Sequence, residues 1–234
     1  LGDPHQFAKK YYLEGVDEIY YEDIVASLYE RNSLLEIIEE TTRDIFVPVT
    51  VGGGLRSVDD VAAVLRAGAD KVAINTAAIK NPRIITDIAR RFGSQCMVLS
   101  IQAKQQGNSW EAYFDNGREH SGVDAVEWAE KGQALGAGEI LLTSVDREGT
   151  AKGFDLPLIK TICDRVSIPV IASGGMGSPS DLVDAVKIGT FPEMIDRELT
   201  AMYKDNVLYI FVKQAGWLSE LERIRGVILK KIEN

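Results

Sequence analysis

The sequence lacks long hydrophobic runs and an excess of basic residues. Of its 234 residues 45% are hydrophobic, yet no uninterrupted apolar segment approaches the roughly 20 residues that a membrane-spanning helix needs. The 26 Lys and Arg residues are outnumbered by 35 Asp and Glu residues, giving a net charge of -9, whereas a general nucleic-acid binder needs basic residues to neutralise phosphates. We therefore expect no membrane and no nucleic-acid partner. No signal peptide opens the chain, so a cytoplasmic location is expected.

Cysteine and histidine are also scarce, with two residues of each. Cys96 and Cys163 lie in apolar segments, where buried thiols are far commoner than a disulfide or a metal site. His5 and His120 lie outside the predicted strand ends, so a catalytic histidine is not expected. There is no zinc spacing, Ser-His-Asp order or dinucleotide fingerprint, and we predict neither a metal nor a cofactor.

Short aliphatic runs alternate with amphipathic segments through most of the chain. Such runs are typical of parallel strands covered on both faces, and segments such as Val58–Ala67 and Ala125–Leu135 repeat apolar residues at helical spacing. This alternation predicts βαβ units and an α/β fold. Six strands are predicted, at Glu18–Asp23, Phe46–Val51, Lys71–Asn75, Met97–Gln102, Glu139–Ser144 and Ile168–Ser173.

An internal repeat underlies this alternation. The segment GVDEI at Gly15 resembles GAGEI at Gly136, 121 residues later. Pro48, followed by a glycine cluster, resembles Pro169, also 121 residues later and followed by glycines. Two landmarks with one offset predict a duplicated half-barrel, and therefore a (β/α)₈ TIM barrel.

The repeat also predicts that the barrel is incomplete. The strand at Met97–Gln102 would need an equivalent before Leu1, so a first strand is expected to precede the sequence given. The strand at Lys71–Asn75 would recur near residue 192, where 191–196 reads FPEMID, a poor strand. We expect strand 1 to be absent and the region of strand 8 to be divergent.

The chain therefore divides into a barrel, 1–189, and a divergent tail, 190–234. Val207–Val212 is apolar and rich in β-favouring residues, and Leu218–Ile232 repeats apolar residues at helical spacing. Because unpaired strand edges invite pairing with another chain, we predict that this strand and helix pack on the barrel.

Glycine-rich segments follow two strands that the repeat relates, at Gly52–Gly54 and at Gly174 and Gly175. Backbone N–H groups in such loops, and the helix N-termini after them, favour phosphate binding. Glycines also make ordinary tight turns, but two symmetry-related loops favour two phosphate sites. They predict a small substrate phosphorylated at both ends.

Candidates for acid–base chemistry lie after the predicted strands, where barrels place their active sites. They are Asp23, Lys104, Asp146 and Glu148. A plainer interpretation exists for each, because Asp23 or Asp146 could anchor a neighbouring loop and Lys104 could lie in solvent.

Five long segments together resemble the cyclase subunit of imidazole glycerol phosphate synthase. They are Thr50–Asp60, Arg66–Ala78, Phe92–Cys96, Leu135–Thr150 and Pro169–Gly177. The resemblance runs from about Gly2 to Gly189 and implies a (β/α)₈ barrel in a heterodimer with a glutaminase subunit. It further implies that ammonia from the glutaminase converts a bis-phosphorylated ribulosyl intermediate into imidazole glycerol phosphate and aminoimidazole carboxamide ribotide, a lyase reaction of histidine biosynthesis.

The resemblance also implies roles for individual residues. Those matching phosphate-binding positions are Gly54, Asn75 and Thr76 for one phosphate, and Glu148, Gly149, Gly174 and Gly175 for the other. Asp23 matches an acidic residue ending the second barrel strand. Three residues match a charged ring that gates ammonia at the opposite mouth, namely Glu18, Lys71 and Glu139. Asp70 matches a position that meets the glutaminase.

Gln102 departs from the family pattern. The motif reads Ile101-Gln102-Ala103-Lys104 where the family has I-D-A-K, and a glutamine cannot exchange a proton near neutral pH. Losing such a group typically costs about 10²–10⁴-fold in rate. The family's other catalytic aspartate belongs to strand 1, and Glu148 replaces an aspartate.

These departures leave three functions open and the enzymatic status uncertain. The first is an active cyclase, with Gln102 at the family's aspartate position and with Lys104 and Asp23 nearby. The second is a divergent paralogue that delivers ammonia for bacterial surface amino-sugar synthesis. The third is a non-enzymatic scaffold that binds a partner.

Overall fold

The computed structural model describes residues 3–23 and 32–189. Within these ranges, six parallel strands form one sheet in the order β1-β2-β3-β4-β7-β8. They are β1 (Ile19–Glu22), β2 (Val49–Gly52), β3 (Lys71–Ile74), β4 (Met97–Gln106), β7 (Glu139–Ser144) and β8 (Val170–Ser173). Two more strands, β5 (Ser109–Phe114) and β6 (Glu119–Asp124), form an antiparallel hairpin on the far end of β4.

Helices separate most of the strands, as the alternation predicts. They are α1 (Pro4–Leu13), α2 (Asn32–Asp44), α3 (Val58–Arg66), α4 (Thr76–Lys80), α5 (Arg83–Phe92), α6 (Ala125–Leu135), α7 (Leu156–Cys163) and α8 (Pro179–Gly189). None of these helices is long and apolar enough to cross a membrane. The segments Val207–Val212 and Leu218–Ile232 lie outside the described residues.

The parallel sheet curls like the wall of a barrel, as predicted. The Lys71 Nζ lies 2.9 Å from Glu18 Oε2 and 2.7 Å from Glu139 Oε1. Glu18 directly precedes β1 and Glu139 begins β7, four steps away in the sheet order. Strands are spaced about 4.8 Å apart, so a flat sheet would separate the two carboxylates by about 19 Å. Only a curled sheet lets both reach one ammonium.

Alternate residues of each strand face two different layers. Outward-facing side chains, such as Val51, Ile74 and Leu99, pack with the helices in the main hydrophobic core. Inward-facing side chains form a second, smaller cluster inside the curl, made of Ala73, Val98, Leu141 and Ile171 with Tyr20 packed against it. This separation follows from the two-residue period of a strand.

The structure confirms the repeat in its hydrogen bonds. The Ile19 N–H donates to the Pro48 carbonyl at 3.0 Å, and the Ile140 N–H donates to the Pro169 carbonyl at 2.9 Å. Both pairs join equivalent positions 121 residues apart. Each proline stands just before its strand, where its missing N–H costs no ladder bond.

The helices after the related strands begin in the same way. The Ser57 N–H donates to the Asp60 carboxylate at 3.0 Å, and the Ser178 N–H donates to the Asp181 carboxylate at 2.8 Å. Both aspartates stand at the third helical position, the place of an acidic capping-box partner. The two halves are thus alike in side-chain as well as backbone bonds.

Several predicted strand boundaries are wrong. β2 begins at Val49 instead of Phe46, and β8 begins at Val170 instead of Ile168. The largest difference lies at the end of β4. β4 continues to Gln106 instead of ending at Gln102, and the β5–β6 hairpin was not predicted. The segment Lys104–Gln106 is polar, so it resembles a loop in sequence. Its strand conformation depends on the antiparallel ladder with β5, a tertiary contact that local composition does not indicate.

Candidate functional site

A buried ion cluster lies at the amino-terminal mouth of the sheet. Lys71 bridges Glu18 and Glu139, and the Thr50 hydroxyl also donates to Glu18. The Lys71 side chain is 14% exposed and that of Glu18 only 5%, so water screens these charges poorly. Burial opposes the charge on Lys71, but the hydrogen bonds to Glu139 and Glu18 outweigh it and raise the pKa of Lys71. The structure thus brings together the three residues predicted as a gate.

Glu139 keeps one oxygen outside this cluster. Its Oε2 is buried and has no hydrogen-bond partner among the described residues, and burial raises the pKa of Glu139 despite Lys71.

Asp70 lies beside the same mouth with an exposed side chain. Its carboxylate accepts the Val49 N–H at 2.8 Å and so fixes the start of β2.

The first pair of predicted phosphate loops lies at neighbouring strand ends. β2 and β3 are adjacent, so Gly54 and Asn75 follow strands that pair. Gly53 and Gly54 have φ angles of 85° and 66°, which glycine adopts without steric cost. A Cβ on Gly53 would overlap the Asp23 carbonyl, so this turn packs directly against the end of β1.

Asn75 and Thr76 place polar side chains at this end of the sheet, and one of their hydrogen-bonding atoms, the Asn75 Oδ1, has no partner among the described residues. Asn75 Nδ2 donates to the Tyr113 carbonyl at 3.1 Å, while its Oδ1 is buried without a partner in the described part of the chain. The Asp115 N–H donates to the Thr76 hydroxyl at 3.1 Å. The hairpin therefore closes over this loop.

The second pair of loops follows β7 and β8, which also pair. Gly174 and Gly175 have φ angles of 91° and 99°, matching Gly53 and Gly54 at the offset of 121. A Cβ on Gly174 would lie 3.4 Å from the Glu148 nitrogen and 3.3 Å from its carboxylate. Glu148 and the glycines thus come together, with Gly149 next in the chain.

Gln102 lies near the end of the part of β4 that pairs with β7 in the barrel wall, and Lys104 lies just beyond it, on the part that pairs with β5. The Gln102 Oε1 is buried and has no hydrogen-bond partner within residues 3–23 and 32–189. The half-buried Lys104 holds its Nζ 5.4 Å from the centroid of the Tyr113 ring, so it is not a solvent-exposed lysine. Asp146 accepts the Gln105 N–H at 2.7 Å, so it fastens the loop after β7 to the end of β4, in line with its plainer interpretation as an anchor.

Sequence reasoning missed two residues at the end of β1. Tyr20 and Glu22 share the inward face with Glu18, and the Tyr20 hydroxyl lies against Gly52. Burial raises the pKa of Tyr20, and the Glu22 carboxylate adds to that rise. Burial also raises the pKa of Glu22, opposed by the Tyr20 hydrogen bond and reinforced by Glu148. The alternation that begins at Glu18 was the signal that could have found them.

Sequence reasoning also missed a polar group on the hairpin. His120 lies between Glu111 and Tyr113, 3.1 Å from each. Its position outside the barrel strands is as predicted, but the hairpin folds it onto the sheet face that carries Gln102. No local motif signals this, because the hairpin itself was not predicted.

Comparison with known proteins places the chain in one family. Residues 1–196 match the family of the histidine biosynthesis protein. Over 178 residues, 76% of this chain and 84% of the relative, it is 64% identical to "Imidazole glycerol phosphate synthase subunit HisF" of Legionella pneumophila. It is 51% identical over 189 residues to the protein of the same name from Pyrococcus furiosus, covering 81% of this chain and 75% of that one.

A third relative agrees with these two. The protein of that name from Dehalococcoides mccartyi strain BAV1 is 50% identical over 188 residues, which cover 80% of this chain and 74% of the relative. Residues 1–196, which match the family, contain both the ion cluster and the two glycine pairs. The chain therefore belongs to the imidazole glycerol phosphate synthase subunit HisF family of histidine biosynthesis proteins.

Proposed function

We propose that the chain is the cyclase-type subunit of an imidazole glycerol phosphate synthase. It uses ammonia from a glutaminase subunit to convert a bis-phosphorylated ribulosyl intermediate into imidazole glycerol phosphate and aminoimidazole carboxamide ribotide. One observation carries this proposal: a single curled sheet has an ion cluster at one mouth and two repeat-related glycine turns at the other. The names of the relatives support the same reading.

Ammonia enters at the amino-terminal mouth in this proposal. The bridge from Lys71 to Glu18 and Glu139 closes that mouth, and the space behind it is lined by the apolar cluster around Ala73 and Leu141. An apolar lining favours neutral ammonia over ammonium, because burying an unpaired ion is costly. The glutaminase docks at this side, where Asp70 is exposed.

The two phosphates bind at the carboxyl-terminal mouth in this proposal. Backbone N–H groups around Gly54 and Thr76 hold one phosphate, and those around Gly149, Gly174 and Gly175 hold the other. The Glu148 carboxylate lies close to Gly174 and opposes a nearby anion. Both subunits act in the cytoplasm, since a bis-phosphorylated compound does not cross a lipid bilayer.

Proton transfer in this mouth cannot use Gln102. The buried Oε1 of Gln102 instead accepts a hydrogen bond from the substrate, which would supply its missing partner. Asp23 and Glu22 at the end of β1 are carboxylates at this mouth that can exchange a proton, and Lys104 supplies positive charge. This division of roles predicts a slow cyclase.

Gln102 also favours a second candidate function, the delivery of ammonia without cyclisation. A barrel that keeps the Lys71 cluster and loses a catalytic carboxylate would still conduct ammonia to another acceptor. The names of the relatives do not favour this alternative, and neither name nor geometry suggests a purely structural scaffold.

Ammonia-dependent turnover of the bis-phosphorylated ribulosyl intermediate tests the proposal. The chain is incubated with the intermediate and ammonium chloride at pH 8.5, and both products are measured by chromatography. Products that scale with ammonia concentration are expected, and an Asn75→Ala variant should reduce them, whereas a Lys160→Gln variant on the outer helix α7 should not. If no product forms while the chain still stimulates a glutaminase, the cyclase proposal is wrong and ammonia delivery replaces it.

A further inference from the structure

The β5–β6 hairpin carries a chain of polar contacts that the proposed reaction does not use. His120 Nδ1 lies 3.1 Å from Glu111 Oε2, and His120 Nε2 lies 3.1 Å from the Tyr113 hydroxyl. Gln106 Nε2 donates to the same hydroxyl at 2.9 Å. The Gly122 N–H foremost, and also His120, lower the pKa of Glu111, so its carboxylate is charged at neutral pH.

The carboxylate fixes the direction of this chain. A carboxylate can only accept hydrogen bonds, so His120 donates from Nδ1 to Glu111. In the neutral imidazole, Nε2 is then an acceptor and takes the hydroxyl proton of Tyr113 in a hydrogen bond. Protonation of His120 reverses that second bond, because Nε2 becomes a donor to the Tyr113 oxygen.

Tyr113 stands between this chain and the candidate site. It is the register partner of Gln102 across β4 and β5, so the two side chains share one face of the sheet. The Tyr113 ring is 2% exposed; its centroid is 4.5 Å from that of His120 and 5.4 Å from the Lys104 ammonium. The Tyr113 carbonyl also accepts the Asn75 amide.

A bulge in the hairpin creates this arrangement. Ala112 pairs with Val123, but the next pair joins Tyr113 to His120 instead of Gly122. Gly122 has a φ of 72°, and its N–H donates to the Glu111 carboxylate at 2.7 Å. Bulges of this kind redirect side chains near functional sites, and here the bulge brings an imidazole to the phenol ring.

We propose that Glu111, His120 and Tyr113 form a protonation-dependent support that positions Lys104 at the carboxyl-terminal mouth. With His120 neutral, Tyr113 donates its hydroxyl proton and its ring stays electron-rich beneath the Lys104 ammonium, which strengthens the cation–π contact. With His120 protonated, the hydroxyl accepts instead, and a second positive charge stands next to the ring. Lys104 then leaves Tyr113.

The charged surroundings of His120 set the sign of this effect. From β5 it faces the Glu111 carboxylate and the Tyr113 phenol, and Lys104 of β4 contacts the same phenol ring. Glu119 precedes it on its own strand, and Arg118 in the turn is paired with Asp115 at 3.1 Å. Acidification therefore places a positive charge on His120 near the Lys104 ammonium, and the two cations repel each other. Glu111 already accepts hydrogen bonds from His120 and Gly122, so it is not available to pair with Lys104.

This proposal rests on the proposed function only for the role of Lys104 in substrate binding. The contact between Lys104 and Tyr113 can be tested without measuring turnover. In an NMR titration of the intact chain from pH 8 to pH 5.5, the ε-methylene signal of Lys104, assigned with Lys104→Arg, reports the ring current of Tyr113. The two histidines of the chain give two imidazole signals, assigned with His5→Gln. The Lys104 signal should be shifted upfield at pH 8 and should lose that shift with the same midpoint as the His120 signal.

Three variants, with His5→Gln as the control, distinguish a protonation-dependent support from simple proximity of the side chains. His120→Gln should keep the Lys104 signal shifted at every pH. Tyr113→Phe keeps the ring and should weaken the pH dependence, whereas Tyr113→Leu should abolish the shift throughout. His5→Gln should behave as the unaltered chain. A Lys104 signal that ignores the titration of His120, or that still moves in His120→Gln, overturns the proposal.

A kinetic test follows where the chain turns over. Losing the cation–π contact of the half-buried Lys104 corresponds to at least about a two- to fivefold change in affinity. KM for the bis-phosphorylated intermediate should rise by at least that factor on acidification, with kcat little affected. His120→Gln should remove this step from the pH profile. A step that persists in His120→Gln contradicts the support. Absence of turnover at every pH counts against the proposed function instead, and the NMR titration still decides this inference.

Discussion

Lys71 shows how one residue can close a barrel mouth. Its ammonium holds carboxylates from two strands that would be far apart in a flat sheet. Breaking a buried pair by removing one partner leaves an uncompensated charge, which costs far more than losing an exposed pair. Because the cluster joins strands that meet only when the sheet is curled, it should stabilise the curled sheet.

Lys71→Met should lower the free energy of unfolding by about 3–5 kcal/mol, because it leaves Glu18 and Glu139 buried without their cation. The matched control is Lys160→Met, which removes an exposed pair with Asp164 and should cost less than about 1 kcal/mol. Urea unfolding at pH 7 measures both. Equal costs for the two variants would show that the Lys71 bridge adds nothing to stability.

Gln102→Asp restores a group that can exchange a proton at the end of the barrel part of β4. Ammonia-dependent turnover should rise, by up to about 10²–10⁴-fold if the aspartate takes over general acid–base catalysis. Gln105→Asp adds the same charge on the same strand at an exposed position and should give no gain. If both variants leave turnover unchanged, the slow step does not depend on an acid or base at Gln102.

The β5–β6 hairpin is the element that sequence reasoning did not supply. Within the described residues, predicted elements with a clear apolar period, such as the helix Ala125–Leu135, are confirmed. The polar stretch Lys104–Gln106 is held as a strand by pairing with β5. Tyr20 and Glu22 become site residues because the sheet curls. Tertiary contacts decided both, so local composition could not.

Asp124 is the residue at which the hairpin ends and α6 begins, so it tests how strongly the hairpin is fixed to this helix. Its carboxylate caps α6 by accepting the Val126 and Glu127 N–H groups at 2.8 and 3.1 Å. Burial opposes its charge, but the bonds from Ser109 and from these N–H groups lower the pKa of Asp124. A carboxylate with a lowered pKa stabilises the folded state above its unfolded value, near 3.9, and this stabilisation is lost as pH falls through the folded pKa.

Asp124→Ala should therefore reduce the free energy of unfolding by about 1–2 kcal/mol at pH 7. The difference from the unaltered chain should shrink below pH 4, as both proteins lose the charged cap. Asp87→Ala, on the exposed surface of α5, is the control. A difference that stays constant from pH 7 to pH 3 would contradict the cap as the cause.

The duplicated half-barrel explains the arrangement of residues at both mouths of the curled sheet. At the amino-terminal mouth the repeat places Glu18 and Glu139 around one lysine, and at the other mouth it places two glycine turns in matching conformations. The offset of 121 residues was visible in sequence, which is why both glycine turns were predicted. The role of each mouth remains a prediction.

Asp70 tests the role of the amino-terminal mouth. Asp70→Lys should abolish co-purification with a glutaminase subunit by reversing an exposed charge beside the Lys71 cluster. Asp70→Asn keeps an acceptor for the Val49 N–H and controls for the start of β2, and Asp87→Lys controls for net charge. Co-purification that survives Asp70→Lys in a folded protein would assign the docking surface elsewhere.

The two anion sites at the carboxyl-terminal mouth are the central claim, and crystals soaked in inorganic phosphate test them most directly. Because the repeat builds both sites, we expect phosphate density next to Gly54 and Asn75 and a second density next to Gly149 and Gly175. Soaked crystals of Asn75→Ala should lose the first density and keep the second. Density at neither loop, with phosphate bound elsewhere on the chain, would contradict a bis-phosphorylated substrate for this barrel.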